Sequence, residues 1–192
     1  MMGKEFFMKV CCVVLAGSLA VGCQSMAEDK PLTRQQLIER GAYLLTVGGC
    51  HDCHTPKKFT EQGPVPDESL ALSGHPAEAK LPEIDPSQIG PGKWFLMNDH
   101  LTAFVGPWGV SFGTNLTPDE ETGIGLWTEE HFVQAMRTGK HAGAGRPILP
   151  PMPWPNLVRA TDDDLKAMFA YMKSLPPIKN AVPAPIPPDQ FR

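Results

Sequence analysis

The stretch Cys50-His51-Asp52-Cys53-His54 decides what this chain folds around. It matches C-x-x-C-H, the pattern by which heme is attached covalently to a polypeptide. Two thiols three positions apart lie on one helical turn and reach the two vinyl groups of one porphyrin, and the imidazole that follows can bind the iron. The motif occurs once. The sequence therefore predicts one covalent heme c, held by Cys50 and Cys53, with His54 as an iron ligand.

Two other kinds of site use cysteines at this spacing, and the rest of the sequence favours neither. A redox dithiol usually lies in a strand–helix–strand unit, and no such alternation surrounds this pair. A structural zinc site requires four nitrogen or sulfur ligands. The other cysteines, Cys11, Cys12 and Cys23, all lie in the N-terminal segment, and the remaining histidines are scattered.

Residues 1–27 are predicted to be an export signal. An apolar run over residues 10–21 follows two lysines. It is too short to span a bilayer and fits the core of a signal peptide. Two processing sites fit: cleavage after Ala27, or lipidation of Cys23 within a sequence that resembles a bacterial lipobox. Either one predicts a periplasmic or otherwise exported bacterial protein, and the second adds a membrane-anchored lipoprotein.

The composition limits the number of domains and the kinds of partner that the chain can have. The chain has 192 residues, of which 42% are hydrophobic, and a formal net charge of −4. The apolar content is sufficient for one folded domain, and the acidic balance argues against a partner that is a nucleic acid. The 18 glycines and 21 prolines indicate many loops. We expect a single domain over residues 28–177 and a Pro-rich tail over residues 178–192.

Three helices are predicted from capping residues and from the spacing of apolar side chains. Each begins after a threonine that can act as N-cap and ends at glycine or proline. The predicted helices run from Thr33 to about Val47, from Thr128 to Gly139 and from Thr161 to about Leu175. The predicted fold class is therefore mainly α with long loops.

A loop-rich insertion is predicted at about residues 56–107. Residues 55–92 are rich in proline and glycine and show little periodicity, which is typical of a long loop. Residues 93–114 carry many aromatic and aliphatic side chains among glycines. That second stretch is expected to pack on a large apolar surface and has room for a short hairpin.

The candidates for a second iron ligand are the methionines and the histidines, because both residue types bind heme iron in proteins. Met152 stands in Pro150-Pro151-Met152-Pro153-Trp154, where the prolines restrict the backbone and present the sulfur on a stiff segment. Met152 is the predicted ligand. The rival candidates are Met97, Met136, Met168, Met172, His51, His75, His100, His131 and His141.

Several segments taken together resemble a known family. They are Arg40-Gly41-Ala42-Tyr43-Leu44, the heme motif, Asn115-Leu116-Thr117-Pro118-Asp119, Thr122-Gly123-Ile124-Gly125, Pro150-Pro151-Met152-Pro153-Trp154 and Ser174-Leu175-Pro176-Pro177. Over about residues 38–177 the chain resembles a class I cytochrome c, and within that class the cytochrome c subunits of membrane-associated alcohol and sugar-acid dehydrogenases. Those subunits typically carry three hemes, whereas this sequence has one motif.

The resemblance implies a class I cytochrome c-like fold, in which a few helices wrap around one covalently attached heme. It implies that His54 is the proximal iron ligand and Met152 the distal one. It also implies that the first helix, near Gly41 and Tyr43, crosses the last helix, near Tyr171 and Leu175.

The predicted function follows from that ligand set. A heme iron with histidine on one face and methionine on the other has no open position for substrate, so its chemistry is one-electron exchange. We expect an electron-transfer protein and not an enzyme, with a dehydrogenase, an oxidase or another cytochrome as redox partner. Two alternatives stay open: a five-coordinate heme enzyme or gas sensor in which Met152 does not bind, and a fixed relay subunit of a dehydrogenase complex, which a lipid on Cys23 would hold at a membrane.

Overall fold

A computed structural model describes residues 31–190. The predicted processing sites at Cys23 and Ala27 lie outside the described residues. Between residues 31 and 190, no helix combines the length and the apolar character that crossing a bilayer requires.

The three predicted helices are confirmed, with the predicted caps. Helix α1 spans Arg34–Val47, helix α3 spans Glu129–Thr138 and helix α5 spans Asp162–Ser174. Thr33 closes a capping box on α1, because its hydroxyl accepts from the Gln36 backbone N–H while the Gln36 side chain accepts from the Thr33 N–H. Two further helices are short: α2, Cys50–His54, and α4, Trp154–Leu157.

Helices α1 and α5 cross at Gly41, in the region that the resemblance implied. A Cβ atom at Gly41 would lie 2.0 Å from the Ala167 carbonyl oxygen and 2.7 Å from the Cβ of Tyr171. Only glycine lets the two backbones approach this closely. Tyr43 does not take part in burying this crossing, since its side chain is 65% exposed.

Gly41→Val is expected to destabilise the fold by about 3 kcal/mol or more, because the added side chain cannot fit without separating α1 from α5. The measurement is urea unfolding followed by circular dichroism. Tyr43→Val is the matched control, since it places the same residue two positions along α1 at an exposed site. Equal stability of the two variants would contradict the packing at this crossing.

The hydrophobic core lies between α1, α3 and α5, and we call it the helical core. Its buried members are Leu45, Leu72, Ile124, Phe132, Val133, Ala135, Met136, Leu165, Met168, Phe169 and Met172. Ten other residues pack against this cluster but are only partly buried. Cys50 and Met152 are both in that second group, so two of the four predicted heme-binding residues pack against the helical core.

The prediction of a mainly α class is corrected to a mixed fold. In one small sheet, β1 (Lys57–Thr60) pairs antiparallel with β2 (Gly63–Pro66). In the other, the order is β3 (Leu96–Met97), β4 (Ala103–Gly106) and β5 (Gly109–Phe112), all antiparallel.

The two sheets differ in how well the sequence indicated them. The β4–β5 hairpin lies in the stretch for which a short hairpin was considered, and its strands are mostly buried. The β1–β2 hairpin lies in the stretch that is predicted to be a long loop, because Pro64 and Pro66 give β2 the composition of an irregular segment. A two-stranded sheet tolerates these prolines because the outer side of each strand needs no ladder partner.

The segment after α5 is fixed to the rest of the domain by specific contacts. The Asn180 side chain donates to the carbonyl oxygens of Ser73 and His75 at 2.7 and 2.9 Å. Further along, Ile186 forms an antiparallel bridge with Val110 on β5. Residues 178–190 therefore lie against the insertion and its second sheet.

Candidate heme site

The C-x-x-C-H motif forms a short helix of its own directly after α1. Gly48 caps the end of α1, and its backbone N–H donates to the Leu44 carbonyl at 2.8 Å. Gly49 then adopts a left-handed conformation with φ of 65° and starts α2. This conformation favours glycine, and it turns the chain so that Cys50–His54 begins a new helical turn.

The two motif cysteines are free thiols, each partly buried. Burial raises the pKa of Cys50 to about 11, and burial also raises the pKa of Cys53. Both groups are therefore neutral thiols at neutral pH. They are three positions apart on α2, and Cys50 packs on the helical core.

His54 is held in an orientation suited to a metal ligand. The residue is 8% exposed, and its Nδ1 donates to the Thr114 carbonyl oxygen at 2.8 Å. Burial lowers the pKa of His54, which favours the neutral ring. A neutral imidazole that donates through Nδ1 carries its free lone pair on Nε2, and a backbone carbonyl in this position is a common way to orient a metal-binding histidine.

Thr114 lies next to the motif helix because the chain that follows β5 packs directly against α2. At Gly113, a Cβ atom would lie 2.0 Å from the Cys53 carbonyl oxygen. The absence of a side chain therefore allows this segment to touch the motif helix. Thr114 was not predicted as part of the site, since it lies 60 residues from His54 and contributes only a backbone atom.

Met152 lies in the loop segment between α3 and α4, partly buried against the helical core as Cys50 is. The loop is fastened to the second sheet near this residue. The Trp108 Nε1 donates to the Ser111 hydroxyl at 3.1 Å, and that hydroxyl donates to the Pro150 carbonyl at 2.5 Å. The sheet thus fixes the backbone two positions before the sulfur-bearing side chain.

Arg137 fastens the same loop beyond Met152. Its guanidinium donates to the carbonyls of Val158 and Ala160, the second at 2.8 Å, and forms an ion pair with Asp162 at the start of α5. A guanidinium presents its donors in a rigid fork that suits several fixed acceptors at once. The loop carrying Met152 is therefore held on both sides, and this arrangement has no signature in the local sequence.

No protein-family model matches the chain. The chain is 39% identical to the fructose dehydrogenase cytochrome subunit of Gluconobacter japonicus, over 83% of its own length and 26% of that protein. It is 33% identical to the cytochrome c subunit of alcohol dehydrogenase (quinone) of Gluconobacter oxydans, over 71% of its length and 21% of that protein. This chain resembles the cytochrome c subunits of bacterial dehydrogenases.

The gluconate 2-dehydrogenase cytochrome c subunit of Pantoea cypripedii agrees with this resemblance, at 29% identity over 91% of the chain. The chain spans between 12% and 30% of the length of the first curated relatives it matches. The similarity therefore concerns one part of each of these longer proteins.

The rival methionines lie on β3 and in the helical core. Met97 is 61% exposed on β3 and is not part of the helical core. Met136, Met168 and Met172 are buried members of that core on α3 and α5, where long flexible side chains fill space between helices.

Each rival histidine makes a hydrogen bond or a ring contact of its own. His51 pairs through Nδ1 with the Thr55 hydroxyl at 3.1 Å, and the Nδ1 of His100 accepts from the Lys57 backbone N–H at 3.2 Å. The other three are His75 against Thr102, His131 in the cap of α3 and His141 edge-on to Trp127. His75 is fully buried and has no hydrogen-bond partner at Nε2 among residues 31–190.

The arrangement fits a covalent heme c. Two neutral thiols and an imidazole oriented through Nδ1 share one helix. Beside them, the helical core leaves a set of apolar side chains only partly covered, among them Leu44, Leu116, Trp127 and Ile148. A flat apolar cofactor attached to α2 would cover such a surface.

Proposed function

We propose that this chain is an exported mono-heme c-type cytochrome with a class I cytochrome c-like fold, which transfers single electrons between redox proteins and is not itself an enzyme. Cys50 and Cys53 would hold the heme, and His54 and Met152 would be the iron ligands. The observation that carries the proposal is the hydrogen bond from His54 Nδ1 to the Thr114 carbonyl at 2.8 Å, on the same helix as two free thiols.

The residues around the cofactor would each have a defined task. When bound, a heme with histidine and methionine ligands supplies reversible one-electron exchange at its iron. The Thr114 carbonyl keeps the ring of His54 in one orientation. The Met152 thioether favours the ferrous state and raises the reduction potential, and the apolar side chains of the helical core keep water away.

A fixed relay subunit is the second form of the same function, and the relatives favour it. The relatives with a stated cytochrome role are named as subunits of alcohol, gluconate and fructose dehydrogenases. In that form the chain would accept electrons from a dehydrogenase partner while attached to it. A diffusing carrier would instead exchange electrons with a dehydrogenase, an oxidase or another cytochrome in separate encounters.

The test is to purify the exported protein from a host that matures c-type heme and to measure three properties. We expect an intact mass that includes one heme, a reductive titration that takes up one electron per chain, and the weak red-end absorption band of a methionine-ligated ferric heme. Rapid binding of carbon monoxide without that band would instead support the five-coordinate enzyme or sensor. Co-purification with a dehydrogenase distinguishes the relay subunit from the carrier.

Export is expected to yield a mature chain that begins at Cys23 or at Glu28, and Cys23→Ser distinguishes the two. If Cys23 is lipidated, the variant loses the lipid mass and leaves the membrane fraction, because no acyl chain remains to anchor it. Intact-mass spectrometry and cell fractionation are the measurements, with Cys12→Ser as the matched control. An unchanged mass and location in Cys23→Ser would rule out the lipoprotein and favour cleavage after Ala27.

A further inference from the structure

Lys57 is a buried cation beside the motif helix. Its side chain lies at the start of β1, and the residue is 8% exposed. The ammonium donates to the carbonyl oxygens of Thr55 at 2.6 Å, Asp52 at 2.9 Å and His51 at 3.4 Å. An ammonium has three donors, so this set of acceptors uses all of them.

Two of the three acceptors, the carbonyls of Asp52 and Thr55, have no backbone donor at the end of α2, whereas the His51 carbonyl also accepts from the Thr55 backbone N–H at 3.1 Å. The last carbonyls of any helix lack intrahelical donors, and that end carries a partial negative charge. His54 lies between two of these residues, Asp52 and Thr55, so the Lys57 ammonium sits at the end of the helix that carries His54. No carboxylate within residues 31–190 forms an ion pair with Lys57.

Burial makes this charge act differently from a charge on the surface. Desolvation lowers the pKa of Lys57, and the negative charge of nearby Asp52 opposes that fall. A charge in the interior is poorly screened by water and salt, whereas an exposed charge is screened strongly. Lys58, the next residue, is exposed and offers the matched comparison.

We infer that Lys57 is a positioning and tuning residue, which fixes the end of α2 and raises the reduction potential of the heme by placing a buried positive charge at the end of the helix that carries His54. The inference rests on the proposed heme function. Oxidation adds one positive charge at the iron, and a nearby buried ammonium repels that charge. The ferrous state is therefore favoured for a reason that does not involve Met152.

The experiment compares the reduction potentials of four heme-bearing variants with that of the wild-type protein by spectroelectrochemical titration. Lys57→Met removes the charge and the donors, Lys57→Gln keeps two donors without the charge, Lys57→Arg keeps the charge, and Lys58→Met is the control. Urea unfolding and the red-end band are recorded for each. If Lys57→Met does not accumulate with heme, the reduction potential of Lys57→Gln is compared with that of the wild-type protein instead.

In both uncharged variants we expect the ferrous-to-ferric ratio at a fixed potential to fall about three- to tenfold, which corresponds to ~28–59 mV at 59 mV per tenfold change. Lys57→Arg and Lys58→Met should stay close to the wild-type potential. An uncharged variant that loses stability but keeps the wild-type potential would overturn the inference and leave Lys57 as a helix cap. A wild-type protein without heme would overturn the proposed function itself, so the two failures are distinguishable.

Discussion

Replacing both Cys50 and Cys53 with alanine is expected to abolish covalent attachment of heme. The two thiols are the partly buried, unpaired cysteines of α2, and no other cysteine lies within residues 31–190 to form a thioether in their place. We expect each single variant to lose the stable holoprotein as well, because one thioether and His54 hold the group less securely.

Heme staining of a denaturing gel measures this result, since only covalently attached heme survives denaturation. Asp52→Ala is the matched control, because Asp52 lies between the two cysteines, is exposed and accepts the Lys57 hydrogen bond through its carbonyl and not through its carboxylate. Staining that survives in the double variant would refute the assignment of the motif, whatever the effect on stability.

Met152→Ala is expected to change the electronic properties of the protein far more than its fold. Both thioethers and His54 would still hold the heme, so the variant should retain its cofactor and its helices. The reduction potential should fall, because the thioether that favours ferrous iron is gone. Carbon monoxide and imidazole should bind faster to the freed position.

The structure explains why the fold should survive this substitution. The loop is fixed at Pro150 by Ser111 and beyond the methionine by Arg137, through contacts that do not involve the side chain of Met152. The substitution should therefore remove the sulfur ligand and leave the backbone of the loop in place. The measurements are the red-end absorption band and the reduction potential, recorded together with urea unfolding.

Alanine variants at the other methionines provide the controls. Met136, Met168 and Met172 are buried in the helical core, so their replacement should cost about 2–5 kcal/mol of stability and leave the band intact. Met97→Ala, at an exposed position, should change neither property. If Met152→Ala kept the band and the potential, the distal ligand would lie elsewhere in the chain.

The sequence allowed the helices to be located because their signals are local. Thr33, Thr128 and Thr161 each cap the helix that follows within a few residues, and Gly139 ends α3 in a left-handed conformation. The crossing at Gly41 was implied by the family resemblance. The β1–β2 hairpin was missed, because two prolines hid a pairing that depends on register and not on composition.

Some features of the candidate site can likewise be predicted from a few neighbouring residues, whereas others depend on contacts between distant parts of the chain. The spacing of Cys50, Cys53 and His54 alone predicted a covalent heme, since attachment chemistry requires that spacing on one helical turn. The prolines around Met152 indicated a stiff segment. Both features are properties of a few consecutive residues, and each can be recognised before any fold is known.

The sequence by itself determined the three main helices, and its motif predicted the cofactor class and the residues proposed to bind heme. Only the tertiary structure decided which groups hold those residues: the Thr114 carbonyl on His54, the Lys57 ammonium on the end of α2, and Ser111 on the Met152 loop. Two of these contacts join residues 60 and 39 positions apart, and the third places a lysine side chain in the interior. Such contacts depend on the path of the chain and on the register of its sheets, for which a linear sequence carries no local signal.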